Sequence, residues 1–140
     1  MTPFGSCLQY LRQHSHLRPD GLRQKELAAL IGLEPTYYCA LENGRRNPPG
    51  EKIMGRIAEV LELSADEHNA LILAAKKSVR KREIPRSARE EEFELVDELF
   101  GKLGKLTPEQ IEMMRLTLRM NATSRFLRTD QPIRGAINMT

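Results

Sequence analysis

The chain has 140 residues, of which 40% are hydrophobic and 29% are charged, and this composition is typical of a folded globular protein. No apolar run approaches the roughly 18–20 residues needed to cross a bilayer, and the N-terminus lacks the basic and apolar segments of a secretory signal. We therefore expect a cytoplasmic protein without a membrane partner, built from one domain or from a small domain with an appended element.

Charge is distributed unevenly along the chain. The net charge is +3, but residues 1–82 hold 13 Lys and Arg against 9 Asp and Glu, whereas residues 83–140 hold 9 against 10. This asymmetry favours an anionic partner for the first half only. The two cysteines, Cys7 and Cys39, are far apart, and the histidines lack partners at ligand spacing, so we expect no disulfide, metal or cofactor.

The first half reads as a series of short helices. Apolar residues recur at helical spacing from Phe4 to Gln13, and Arg18–Gly21 has turn chemistry. The next helix covers Gln24–Ile31 and stops at Gly32, and a third starts near Pro35 and ends at Asn43-Gly44. After a Pro-rich loop, two further amphipathic helices are predicted, the second opened by the capping box formed by Ser64 and Glu67.

The composition changes at the basic segment Lys76–Arg82. Two more helices are predicted after it, one opened by a capping box of Ser87 and Glu90 and the other by Thr107 and Gln110. No strand and no internal repeat is evident. The prediction is an all-α protein, with a five-helix domain at residues 1–77, a helical extension at 84–121 and a polar tail at 122–140.

Two short helices joined at Gly32 form a helix-turn-helix pattern. The run from Gln24 to Arg46 contains Q-x-x-L-A, a turn glycine, and L-E-N-G followed by two arginines. In these features it resembles the Xre/Cro-like family of phage repressors and bacterial regulators, over roughly residues 4–75. The resemblance implies a lambda-repressor-like domain that binds double-stranded DNA.

The resemblance places the start of the third helix, at about residues 34–42, in the major groove. The implied base-contacting residues on this chain are Glu34, Pro35, Thr36, Cys39 and Ala40. Thr36 can offer a hydroxyl or a methyl group to a base, whereas Glu34 either accepts from cytosine N4 or is a surface residue. The other three offer only apolar contact. Few direct contacts to bases are therefore expected, and DNA shape or water contributes more to the specificity. Tyr38 and Leu41 are expected in the core.

Phosphate contacts are expected on either side of this helix. The implied residues are Arg23, Gln24, Lys25, Tyr37, Asn43, Arg45 and Arg46. Gln24 opens a helix whose positive dipole end favours phosphate, and the arginine pair follows the recognition helix. The basic segment Lys76–Arg82 either touches flanking phosphates or is simply a linker.

The resemblance also implies a structural ion pair between Arg12 and Glu42, which would tie the first helix to the recognition helix. The connection from His14 to Leu22 is longer than is usual in the family, and its extra residues could reach DNA or a partner subunit.

The chain shows no catalytic constellation, so we do not expect an enzyme. The helical extension is too small to bury a core alone, which suggests that it forms a homodimer or packs on its own subunit. The predicted function is a dimeric transcriptional repressor that occludes a promoter. Two alternatives remain: the antitoxin of a toxin–antitoxin pair, and a protein-bridging module that uses the C-terminal helices. Nothing in the sequence identifies a small-molecule effector.

Overall fold

The computed structural model describes residues 1–120, and the polar tail expected at 122–140 lies outside this range. The described residues form seven helices and no strand, which confirms the all-α prediction for this part of the chain. The helices are α1 Pro3–Gln13, α2 Gln24–Ile31, α3 Pro35–Asn43, α4 Glu51–Leu61, α5 Ala65–Lys77, α6 Glu90–Lys102 and α7 Pro108–Leu118. None of them is long and apolar enough to cross a membrane.

The chain divides into two compact units, one spanning Met1–Glu83 and the other beginning at Ile84. The first unit contains α1 to α5 around a single core. Its largest fully buried side chains are Tyr38, Phe4, Leu8, Leu27, Ile31, Leu41, Ile57 and Leu71. These residues come from all five helices, so each helix contributes its apolar face to one shared interior.

Local sequence signals explain most helix ends. Gly32 and Gly44 follow α2 and α3 in the left-handed conformation, with φ of 83° and 82°, where glycine carries no Cβ penalty. Ser64 caps α5, because its hydroxyl accepts from the N–H of Glu67 at 3.1 Å and the Glu67 carboxylate accepts from the Ser64 N–H at 2.9 Å.

The predicted start of α6 was wrong by two residues. The N–H of Ala88 donates to the carbonyl of Pro85 at 3.0 Å, which closes a turn around Ser87 and keeps that residue out of the helix. The helix begins instead after Arg89, whose N–H donates to the Glu92 carboxylate at 2.7 Å. The Glu92 carboxylate therefore accepts the N–H of the capping residue, as Glu90 was expected to do, but two residues later in the chain.

In its described residues, the second unit contains two helices, α6 and α7, joined by a short turn in which Gly104 has a φ of +90°. Neither helix contains a buried residue. Phe100 is 64% exposed and Leu118 is 79% exposed, and they are two of many large apolar side chains left open to solvent here. Within its described residues, this unit has no core of its own.

Candidate nucleic-acid interface

The two helices α2 and α3 are joined by three residues, Gly32 to Glu34. The N–H groups of Gly32 and Leu33 both donate to the carbonyl of Ala28 at 2.9 Å, which closes the end of α2 and turns the chain sharply. Pro35 occupies the first turn of α3, where its missing N–H has no helical partner to lose. A short helix, a tight glycine turn and a second helix constitute a helix-turn-helix.

One side of α3 is buried and the other is open. Tyr38, Leu41 and Glu42 are buried, as expected for the first two. Of the residues expected to contact bases, Pro35, Thr36 and the preceding Glu34 are exposed, whereas Cys39 and Ala40 are half-buried. Glu34 makes no side-chain hydrogen bond to the helix start, so its carboxylate is not used as a cap. The helix thus presents its N-terminal turn to solvent.

Glu42 lies at the centre of a buried polar cluster. Arg12 Nε donates to Glu42 Oε2 at 2.6 Å, and Arg12 Nη2 donates to Oε1 at 3.1 Å. Tyr38 Oη donates to Oε2 at 2.5 Å, and Gln24 Nε2 donates to Oε1 at 2.9 Å. Arg12 also donates to the Leu22 carbonyl at 2.7 Å, so the cluster joins three helices and the chain before α2. Residues that the resemblance paired are therefore connected through a wider network.

This network shifts the pKa values of its members. Burial raises the pKa of Glu42, but the hydrogen bonds from Arg12, Tyr38 and Gln24 outweigh burial and leave it below its ordinary value of 4.5. The hydrogen bond to Glu42 raises the pKa of Arg12, and burial raises the pKa of Tyr38. Glu42 is consequently an anion held between a fixed cation and two neutral donors.

The expected phosphate-contacting residues fall around the end of α3. The hydrogen bond from Gln24 to Glu42 brings the first turn of α2 beside the last turn of α3. Arg23, Lys25, Arg45 and Arg46 are exposed around this junction. Gln24 is half-buried, and one of its amide N–H groups is already committed to Glu42, so only part of this side chain remains for a phosphate.

The loop after α3 is held by local contacts. The side-chain oxygen of Asn43 accepts from the N–H of Arg45 at 3.0 Å, and the carbonyl of Ala40 accepts from the same N–H at 2.9 Å. The guanidinium of Arg46 lies over the ring of half-buried Tyr37, 5.6 Å from its centroid. Asn43 and Tyr37 therefore also shape the loop that carries the two arginines.

The long connection before α2 folds back on that helix. Arg18 forms a 2.6 Å salt bridge with Glu26, and the N–H of Gly21 donates to the Arg18 carbonyl at 3.1 Å. Gly21 needs its φ of 82°, and a Cβ there would collide with the backbone of Gln13. Arg18 thus adds a cation beside the first turns of α2.

Reasoning from the sequence missed three residues that help to position α2 and α3. Gly5 in α1 lies against the backbone of Leu41 and Glu42, leaving no space for a side chain. Arg56 in α4 donates to the carbonyl of Ile31 at 2.5 Å, at the end of α2, and Arg80 donates to that of Gly44 at 2.7 Å, at the end of α3. A guanidinium cation suits the negative end of a helix dipole. Each arginine is far along the chain from the helix end that it contacts, so no local sequence pattern indicates the contact.

The fold and the site together define a helix-turn-helix protein in which a loop with two arginines follows the second helix of the motif. Residues 3–71 match the family model described as "Helix-turn-helix domain". The match is consistent with the resemblance to the Xre/Cro-like proteins and indicates a DNA-binding regulator. The comparison with curated proteins gave no match.

Proposed function

We propose that the chain is a sequence-specific transcriptional regulator that binds an operator through α3 and acts as a dimeric repressor. The observation that carries this proposal is the open N-terminal turn of α3, together with the exposed cations at the other end of that helix, from the first turn of α2 and from the loop after α3. A polar and apolar reading surface bordered by positive charge suits the base edges of a groove and the phosphates beside it.

In this proposal Thr36 reads a base edge with its hydroxyl or methyl group, and Pro35 adds apolar contact. Cys39 and Ala40 are half-buried, so they contribute less area than the exposed turn before them. Glu34 either accepts from cytosine or stays in solvent. Because few side chains can contact bases directly, DNA shape and bridging water supply part of the specificity.

Phosphates are held by Arg23, Lys25, Arg45 and Arg46, with Gln24, Tyr37 and Asn43 in supporting positions. The N-terminus of α2 adds its unpaired N–H groups and the positive end of the helix dipole. These charges lie where the first turn of α2 meets the last turn of α3. They would therefore orient α3 relative to the DNA backbone without specifying sequence.

The dimer is proposed to form through the unit of α6 and α7. Apolar side chains from both helices and from the turn between them line a groove of about 510 Å³ on this unit; these are Leu95, Leu99, Leu106, Ile111, Met113, Met114 and Leu118. Helices without a buried side chain gain stability by burying such a face against another surface. A second copy of the same unit supplies a matching face and gives the two half-site contacts that operators usually require.

The decisive experiment is selection of bound DNA from a random duplex pool with the full chain, followed by sequencing. The proposal predicts an inverted repeat with half-site centres about one helical turn, or a multiple of it, apart. A promoter overlapped by that repeat should lose transcription when the protein is added. Absence of any enriched sequence would contradict the proposal and favour the protein-bridging alternative.

A further inference from the structure

The basic segment Lys76–Arg82, which the proposed function does not use, begins from a fixed point in the fold. It contains five cations in seven residues. Within it, buried Ser78 accepts from the N–H of Phe4 at 2.9 Å and donates to the carbonyl of Ala74 at 2.7 Å. The segment therefore leaves α5 at a position set by the start of α1.

Arg80 then attaches the segment to the recognition helix. Its Nη2 donates to the carbonyl of Gly44, the residue that ends α3, at 2.7 Å. Val79, Arg80 and Lys81 also line one shallow groove together with Asn47, Pro48 and Pro49 of the loop after α3. A segment that could have been a free linker is instead held against the loop that begins with Arg45 and Arg46.

We propose that the basic segment Lys76–Arg82 binds DNA backbone phosphates and extends the phosphate-contacting surface beyond the recognition helix. This inference rests on the proposed function. The contacts at Gly44 and Glu42 bring three cationic groups to one end of α3, from the first turn of α2, the loop after α3 and the basic segment.

The charges of the segment are open to a ligand. Lys76, Lys77, Lys81 and Arg82 are exposed, and none of them forms a salt bridge with another residue in the range 1–120. Arg82 spends one N–H on the carbonyl of Lys76 at 3.0 Å, which leaves the remainder of its guanidinium free to bind. Continuity with the DNA-facing loop favours nucleic acid over an acidic protein as the partner.

The test compares Lys81→Ala with Lys105→Ala, and adds the double variant Lys81→Ala/Arg82→Ala, all in the full chain. Lys81 and Lys105 are both exposed lysines outside helices, but Lys105 lies in the turn between α6 and α7. Fluorescence anisotropy would measure binding to a labelled duplex carrying the selected site, and to an unrelated duplex of equal length, over a series of KCl concentrations.

We expect the slope of log K against log salt to fall by about 0.9 for each phosphate that is no longer neutralised, equally on both duplexes. Lys105→Ala should keep the slope of the parent. Arg80→Ala should reduce the slope by more than the value for a single phosphate, because Lys81 and Arg82 are then no longer held beside the loop after α3. The melting temperature of this variant would be measured alongside.

An unchanged slope in Lys81→Ala/Arg82→Ala, while the parent binds its site, overturns this inference and leaves the proposed function standing. An equal fall in Lys105→Ala overturns it too, since the effect would then follow net charge alone. If the parent binds neither duplex, the proposed function and this inference fail together. Capture of an acidic protein through the segment, with an unchanged DNA slope, counts against DNA as its ligand.

Discussion

The guanidinium of Arg12 in α1 meets the carboxylate of Glu42 in α3 with two hydrogen bonds, of 2.6 Å and 3.1 Å, inside the N-terminal domain. Tyr38 and Gln24 occupy further acceptor positions on the same carboxylate. The helix α3 is thus positioned by a polar network as well as by the packing of its apolar face. Such a network is stable only while each member keeps its partners.

Replacing Arg12 with Met should lower the free energy of unfolding by about 3–5 kcal/mol, because the buried Glu42 carboxylate loses its cation. Urea denaturation of the full chain would measure the loss. Arg18→Met is the matched control: its salt bridge with Glu26 is also 2.6 Å long, but the Arg18 side chain is 57% exposed, so its removal should cost less than about 1 kcal/mol. Equal losses in the two variants would show that burial of the Arg12–Glu42 pair contributes nothing.

Stability should fall in acid because of Glu42. Its pKa is lower in the folded chain than its ordinary value of 4.5, so its contribution is complete above that value and is lost as the pH falls through the folded-state pKa. The difference in unfolding free energy between the parent and Glu42→Gln should therefore be largest near neutrality and narrow in acid. Denaturant titrations at a series of pH values would measure it, and a constant difference would contradict the assignment.

Gly5→Ala should destabilise the domain by about 1–3 kcal/mol, because a Cβ at this position meets the main chain of Leu41 and Glu42, which cannot move aside as a side chain could. Gly55→Ala is the matched control in α4, where no atom lies within 4 Å of the added carbon. That variant should gain about 0.5–1 kcal/mol from helix propensity. Thermal melts would give both signs, and destabilisation by Gly55→Ala as well would refute the steric explanation.

Arg45→Ala/Arg46→Ala should weaken binding to every duplex and reduce the salt slope by about 0.9 for each phosphate that the loop no longer neutralises. Thr36→Val keeps a similar shape but removes the hydroxyl, so it should alter preference at one base position and leave the slope unchanged. Repeating the DNA selection and the salt series on both variants would separate the two effects. Parent-like binding by the double arginine variant at every salt would exclude the loop from the interface.

Leu95→Asp should convert the proposed dimer to a monomer, because it places a charge within the apolar groove of α6 and α7. Leu73→Asp is the matched control, since Leu73 is 52% exposed on α5 and Leu95 is 58% exposed. Sedimentation velocity would report the mass of each. A dimeric Leu95→Asp variant would argue that this face is not the interface between copies.

Much of the architecture of the first unit follows from local sequence signals. Gly32 and Gly44 end helices because a Cβ is disfavoured at positive φ, and Pro35 begins one because it lacks an N–H. Apolar spacing in α3 also identified its buried side, with Tyr38 and Leu41 inside. These features depend on residues within a few positions of each other, so the sequence alone determined the helix order and the helix-turn-helix.

Several contacts between residues far apart in the sequence were revealed only by the tertiary structure. Arg80 reaches Gly44 over 36 positions, and Ser78 meets Phe4 over 74. Gly5 sits inside an ordinary helix, and nothing near it in the sequence indicates that another backbone lies against it. The position of a partner distant along the chain depends on how the helices cross, and that is set by the packing of the whole core rather than by any local residue pattern.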